Sequence, residues 1–183
     1  MIEIGFTLCF LTRGQEVLLL HRKRPPNAGL WNGVGGHIEA GETPLQSCLR
    51  EVQEETGFHL PTAHFAGLLT WSGFEIANGG LALFTAPAPD GTAAACTEGR
   101  LAWYSRSFLF RSPRVVSNLL HSAPHFMNGA PPLEYHFVYQ QGKICSHTIR
   151  RIPGVECKKA VWNMIHFGDG NYSLDIDREE KNW

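Results

Sequence analysis

Three glutamates, Glu51, Glu54 and Glu55, follow Arg50 within the stretch GHIEAGETPLQSCLREVQEETGF, residues 36–58. On a helix, positions i, i+3 and i+4 share a face, so the three carboxylates converge on a small region. Like charges so placed repel, and a helix that serves packing alone gains little from them. A hard divalent cation removes the repulsion, because Mg²⁺ takes carboxylate oxygens and keeps waters and substrate phosphates in its shell. An acidic helix face is also common as a solvated surface, and the glutamates alone leave that reading open.

The elements around them are marked in the sequence. Thr43 suits a helix N-cap, Pro44 the first helical position, and Gln46 completes a capping box. Leu45, Cys48, Leu49 and Val52 form an i, i+3, i+4, i+7 apolar stripe. The stripe is read on a different side from the glutamates, so docking on a sheet leaves the carboxylates facing a cleft. Cys48 belongs to the core in this reading, and Gly57 ends the helix. The run Trp31-Asn32-Gly33-Val34-Gly35-Gly36 holds too much glycine for an ordinary strand. It is either a turn or a backbone that must come close to a ligand or metal. Residues 2–11 and 16–21 read as a hairpin, with residues 64–72, 81–86 and 101–104 as further strands. Residues 87–97 read as a loop, 113–122 as a second amphipathic helix, and 135–139 with 144–150 as a late hairpin. Residues 161–167 are apolar enough to dock, and the charged end at 175–181 reads as loose. Mixed strands with one well-placed helix and a later one imply an α/β sandwich.

Nine positions fit the pattern G-x5-E-x7-R-E-U-x-E-E-x-G-U, where U is apolar: Gly36, Glu42, Arg50, Glu51, Val52, Glu54, Glu55, Gly57 and Phe58. This resembles the Nudix box, the signature of hydrolases that cleave a nucleoside diphosphate linked to another moiety. The resemblance implies an α+β fold, an α/β/α sandwich with a mixed sheet, over residues 1–152. Residues 153–183 then form a C-terminal extension of unassigned role. It also implies that Glu51, Glu54, Glu55 and the carbonyl of Gly35 hold Mg²⁺ or Mn²⁺. Glu51 would act as general base through a water, and Arg50 would pair with Glu51 to orient it. Glu42 would support the site or be an outer ligand, the favourable charge at a helix N-terminus being its plainer role. Glu98, five residues before Trp103, resembles the distal glutamate of MutT-like members.

Residues 18–42, LLLHRKRPPNAGLWNGVGGHIEAGE, are similar to the MutT-type and oxidised-purine nucleoside triphosphatases. By that similarity Asn32 contacts a purine edge, since an amide both donates and accepts in the plane of a base. Arg22, Lys23 and Arg24 approach the triphosphate, although a solvated basic turn explains them equally well. The similarity continues more weakly over roughly residues 3–150. The implied activity is metal-dependent attack of water on a nucleoside triphosphate such as 8-oxo-dGTP, giving a nucleoside monophosphate and pyrophosphate. The alternatives are a Nudix pyrophosphatase for ADP-ribose, NADH or dinucleoside polyphosphates, and a non-catalytic Nudix-fold ligand sensor.

Bulk properties narrow the classes further. A chain of 183 residues has room for one domain with a core and a short appendage. With a formal charge of −1 it lacks the basic excess that a nucleic-acid polymer demands. No apolar run approaches the roughly 18 residues that span a bilayer, and the apolar start reads as a strand because it lacks a basic leader region. The five cysteines are odd in number and show no C-x-x-C spacing, which fits free thiols in a reducing cytoplasm. The expected partner is therefore a small nucleotide, with no membrane and no nucleic-acid polymer. The oligomeric state stays open, a homodimer included.

Overall fold

The structure, a computed structural model, describes residues 2–74 and 78–152, together with the backbone of residues 166–168 and 171–174. Strands β1 (Ile2–Arg13) and β2 (Glu16–Arg22) turn about Gly14, whose φ of 58° suits glycine. Only three residue pairs join them, from Leu11 with Leu18 to Arg13 with Glu16. β2 pairs with β6 (Gly99–Ser105) along its whole length, and beyond its three pairs with β1 its other edge turns to β3 (Trp31–Asn32).

The departure of β2 frees one edge of β1, and the glycine-rich segment occupies it. Thr7 N donates to Gly36 O at 2.9 Å, Cys9 N to Val34 O at 2.7 Å, and Ile38 N to Gly5 O at 3.0 Å. The approach is too close for side chains. A Cβ on Gly33 would lie 2.8 Å from the carbonyl of Cys9, and one on Gly35 would strike the carbonyl of Thr7. Gly35 also has a φ of 148°, which other residues rarely adopt.

On its other edge β1 runs parallel to β5 (Asn78–Pro87). The sheet continues through β4 (His64–Ser72), β7 (Leu133–Gln140) and β8 (Lys143–Arg151). The β1–β5 and β4–β7 pairs are parallel, while β4–β5, β7–β8 and the pairs made by β2 are antiparallel, so the sheet is mixed. The β7–β8 hairpin turns at Gln141 and Gly142, both with positive φ, as the tight two-residue turn requires.

Helix α1 (Pro44–Thr56) packs on one face of the sheet, its Cys48 and Val52 buried with Cys9, Leu11, Leu18, Leu20 and Phe84. Helices α2 (Arg106–Arg111) and α3 (Ser117–Phe126) cover the other, where Leu109, Leu119 and Phe126 meet Phe10, Leu19 and Leu83. Period-two alternation along β1 and β2 feeds both cores. The result is the α/β/α sandwich with a mixed sheet anticipated above.

The helix expected at 113–122 starts four residues later, as α3, and a short helix not read from the sequence, α2, precedes it. Ser105 caps α2, accepting from Phe108 N, and Pro113 falls in the break before α3 starts at Ser117. On the α1 face, Glu134 is 2 % exposed and bonded by Arg150 Nε at 2.6 Å and by Thr70 Oγ1 at 3.0 Å. In the C-terminal extension, β9 (His166–Gly168) and β10 (Asn171–Leu174) pair with each other, and β10 pairs with the start of β1. The remainder of the expected docking segment 161–167 and the charged end 175–181 lie outside the described residues. No described helix is long and apolar enough to cross a membrane.

Candidate active site

Helix α1 begins with the capping box read from the sequence. Thr43 Oγ1 accepts from Gln46 N at 3.2 Å, and Gln46 Oε1 accepts from Thr43 N at 2.8 Å. The helix ends on Gly57 in the left-handed conformation. Its first turns are tied to the glycine-rich segment through the carbonyl of His37, which accepts from Ser47 Oγ at 3.0 Å and Arg50 Nη2 at 2.9 Å. The segment is therefore held between β1 and α1, and its position relative to the glutamates is fixed from both sides. Ser47 carries no signal of this role in the sequence.

Arg50 is the hub of the acidic cluster. It grips Glu42 with two nitrogens, Nε to Oε1 at 2.7 Å and Nη2 to Oε2 at 2.9 Å. Its Nη1 donates to Glu51 at 2.9 Å and to Glu54 at 3.3 Å. The expected Arg50–Glu51 pair is present, but the two-pronged grip on Glu42 is the stronger geometry. That grip holds the Glu42 carboxyl below its ordinary range and raises the Arg50 guanidinium. Glu42 thus anchors the arginine that orients Glu51. The space around Glu51 is equally tight, since a Cβ on Gly36 would lie 2.6 Å from its carboxyl carbon. Burial raises the Glu51 carboxyl, with Arg50 opposing the shift and Glu54 and Glu98 adding to it.

The three glutamates do not share one environment, and here the sequence reading needs correction. Glu54 is 59 % exposed at its side chain, drawn toward Arg50. Glu55 is only 4 % exposed. The apolar stripe does not lie on a different side from it, because Glu55 stands three residues after Val52 and seven after Cys48, on the same face. Its Oε2 accepts from Gly35 N at 2.8 Å, whereas its Oε1 is buried without a hydrogen-bond partner. Burial pushes the Glu55 carboxyl up to about 8; the Gly35 amide opposes this, Glu51 and Glu98 add to it, and Arg22 opposes it.

Glu98 reaches the cluster from the loop before β6. Its carbonyl accepts from Lys23 N at 3.0 Å, which clasps that loop to the basic turn after β2, and its charge acts on both Glu51 and Glu55. Of the basic turn, Arg22 is within electrostatic reach of Glu55, and its Nε donates to Pro26 O at 3.0 Å. Lys23 and Arg24 have exposed side chains. Asn32 is 9 % exposed, and its Oδ1 accepts from Gly33 N at 2.9 Å, so its amide is oriented by its own backbone. Thr7, unmarked in the sequence, lies under Gly35 and has a buried hydroxyl without a partner.

Among the described residues no three His, Cys, Asp or Glu side chains form a ready-made metal cage. Arg50 donates to one oxygen each of Glu51 and Glu54, leaving the other oxygen of each outside that grip. A buried carboxylate oxygen with no donor is nonetheless a costly group, and a cation is the partner its chemistry asks for. The donor set is all oxygen, which suits Mg²⁺ or Mn²⁺.

A capped helix bearing these glutamates, clasped to a glycine-rich segment on a mixed sheet, has a counterpart among known families. The family model of the NUDIX domain matches residues 3–110. The chain belongs to this family. Its NUDIX domain is 34 % identical over 103 residues to an oxidized purine nucleoside triphosphate hydrolase from Mus musculus, covering 54 % of this chain and 64 % of the relative. It is 40 % identical over 62 residues to an NAD-capped RNA hydrolase NudC of Haemophilus influenzae, covering 33 % of this chain and 24 % of that protein. The chain thus spans less than two thirds of the length of either relative. A MutT protein structure from Bacillus halodurans superposes with a TM-score of 0.68 at 25 % identity, over 81 % of this chain and 97 % of that one.

Proposed function

We propose that this NUDIX protein is a pyrophosphohydrolase that uses Mg²⁺ or Mn²⁺ to cleave a nucleoside triphosphate, with 8-oxo-dGTP the first candidate. The observation that carries the reading is the buried, unpartnered Oε1 of Glu55, set against the Gly35 amide and within the field of Glu51 and Glu98. The name of the mouse relative supports the substrate class. Glu51, Glu54, Glu55, Glu98 and the carbonyl of Gly35 are the groups assigned to hold the cation. Once bound, it supplies neutralisation of the phosphate charge and acidification of water.

The chain's own residues do the rest. Glu51, whose proton affinity is raised by burial, accepts a proton from the attacking water. Arg50 fixes the direction of Glu51 and is itself fixed by Glu42. Arg22, Lys23 and Arg24 draw the polyphosphate toward the acidic cluster, which would otherwise repel it. Asn32, held by Gly33, offers its amide to a base edge. Water attack on a phosphoanhydride needs positioning and charge neutralisation more than covalent chemistry, and these residues supply both.

The test is turnover of purified protein with Mg²⁺ on a panel of oxidised and ordinary nucleoside triphosphates, products being separated by chromatography. A nucleoside monophosphate with pyrophosphate is the expected pair. A nucleoside diphosphate with phosphate would overturn the bond assignment, and binding without turnover of any triphosphate would overturn the triphosphatase reading. The second enzymatic reading, a dinucleotide or ADP-ribose pyrophosphatase, draws on the similarity to the NAD-capped RNA hydrolase.

A further inference from the structure

Two histidines from different elements meet on the face of the sheet that α3 covers. His121 of α3 and His147 of β8 have ring centres 4.5 Å apart, with their planes inclined by 35°. Both side chains are exposed, and among the described residues no hydrogen bond engages a nitrogen of either ring. The support beneath them is firm. Phe137, 1 % exposed, lies 5.7 Å from the His147 ring and 6.2 Å from that of His121. The antiparallel ladder of β7 and β8 sets His147 opposite Phe137. Leu119 and Ala123 anchor α3 in the same core, and Asn118 Nδ2 donates to Tyr139 Oη at 3.1 Å. Burial and the nearby His147 hold the His121 imidazole below its ordinary range, which favours the neutral ring that can ligate a metal.

We propose that His121 and His147 form a metal site, separate from the carboxylate cluster, that takes one borderline divalent transition ion such as Zn²⁺. At about 2.0–2.1 Å from nitrogen to metal, two imidazoles on one ion have ring centres roughly 4.5–5 Å apart, close to the spacing found. Rotation of the rings about their side-chain bonds aims one nitrogen of each at the ion, with α3 and β8 staying in place. The site is open. Among the described residues no third His, Cys, Asp or Glu joins the pair, and His125, one turn along α3, faces Tyr135 instead at 6.1 Å, so water completes the shell. Imidazole suits Zn²⁺, Cu²⁺ and Ni²⁺, whereas Mg²⁺ takes oxygen donors. The two sites are thus selective for different ions, and the one at His121 and His147 clips the edge strand β8 to α3.

The test is titration of the full chain with Zn²⁺ in excess Mg²⁺, read from the nitrogen resonances of the imidazoles. One nitrogen of His121 and one of His147 are expected to shift together and to saturate at a single ion. His121→Gln or His147→Gln should weaken Zn²⁺ binding at the remaining ring by on the order of a hundredfold, the advantage of a second ligand already held in place. Cys145→Ser, which removes the exposed thiol of β8, and Glu55→Gln, at the carboxylate cluster, should leave that binding unchanged. Thermal midpoints in EDTA should be nearly the same for the natural protein and both histidine variants, because the two rings are exposed, so weakened binding is not lost folding. Independent saturation of the two rings, undiminished binding in either histidine variant, or an equal loss in Cys145→Ser or Glu55→Gln overturns the site.

Discussion

Replacing Glu55 by Gln isolates a carboxylate that is buried with one oxygen unpartnered. Its carboxyl rises from an ordinary 4.5 to about 8, first because it is buried and then because Glu51 and Glu98 face it. The folded state therefore holds this proton after the unfolded chain has released it. The stability contributed by the acid form is complete below about 4.5 and is lost as pH rises through about 8. At about 1.36 kcal/mol per unit, the loss approaches roughly 4–5 kcal/mol above pH 8 in the metal-free protein and is about 3 kcal/mol between pH 5 and 8. Glutamine keeps an oxygen to accept from Gly35 N, now at 2.8 Å from Glu55, and exchanges the orphaned oxygen for a buried amide NH₂. That group costs about 1–3 kcal/mol at every pH. The assay is urea unfolding in EDTA at pH 5 and pH 8. Glu55→Gln should be equal to or less stable than the natural protein at pH 5 and more stable at pH 8, the difference between them changing by about 3 kcal/mol. Adding Mg²⁺ at pH 8 should stabilise the natural protein by about 2.7 kcal/mol at a hundredfold excess over Kd, and the variant far less. Parallel pH profiles in EDTA would show that Glu55 is not the strained group of the site.

Four further outcomes follow from the geometry. Glu51→Gln should lower kcat by roughly 10²–10⁴ with KM little changed, as loss of a general base requires; a near-natural rate at saturating Mg²⁺ would move the base elsewhere. Gly36→Ala places a methyl 2.6 Å from the carboxyl carbon of Glu51, so steady-state kinetics should show about a hundredfold loss of kcat from displacement alone, with the thermal midpoint nearly unchanged. Glu134→Ala removes the buried acceptor of Arg150 and Thr70 and should destabilise the fold by about 1–3 kcal/mol in denaturant titrations, since the half-exposed Arg150 turns to solvent and Thr70 keeps its bond to His136, with metal affinity unaffected. Asn32→Ala should lower discrimination between purine and pyrimidine triphosphates by about 1–3 kcal/mol in relative kcat/KM; unchanged preference would remove Asn32 from base reading while leaving the phosphate chemistry intact.

Much of the site is legible in the chain because its constraints are local. A capping box, a proline at the helix start and a left-handed glycine at its end are decided within four residues, so the bounds of α1 can be read before any fold is known. Glycines that pass too near a neighbouring backbone also announce themselves, although the neighbour does not: that Gly35 lies on Thr7 follows only from β2 leaving β1 after three pairs. What escaped was decided at a distance. Spacing set Glu55 with Glu51 and Glu54 on a face away from the apolar stripe, but the close packing of α1 on β1 buries it on the Cys48–Val52 face. The short helix α2 likewise turns on Ser105 capping a turn at the end of β6, which periodicity over 113–122 does not contain. The pairing of buried Glu134 with the half-exposed Arg150 depends on the register of β7 against β8, set by a turn several residues away. One consequence reaches function. Residues that stand together in the sequence are separated by burial into an exposed glutamate, a half-buried one gripped by arginine, and a buried one with a single oxygen lacking a partner. Burial raises the proton affinity of both Glu51 and Glu55, but Glu51 is held by Arg50 and Glu55 by the Gly35 amide, so the holding of a cation and the acceptance of a proton can fall to different carboxylates.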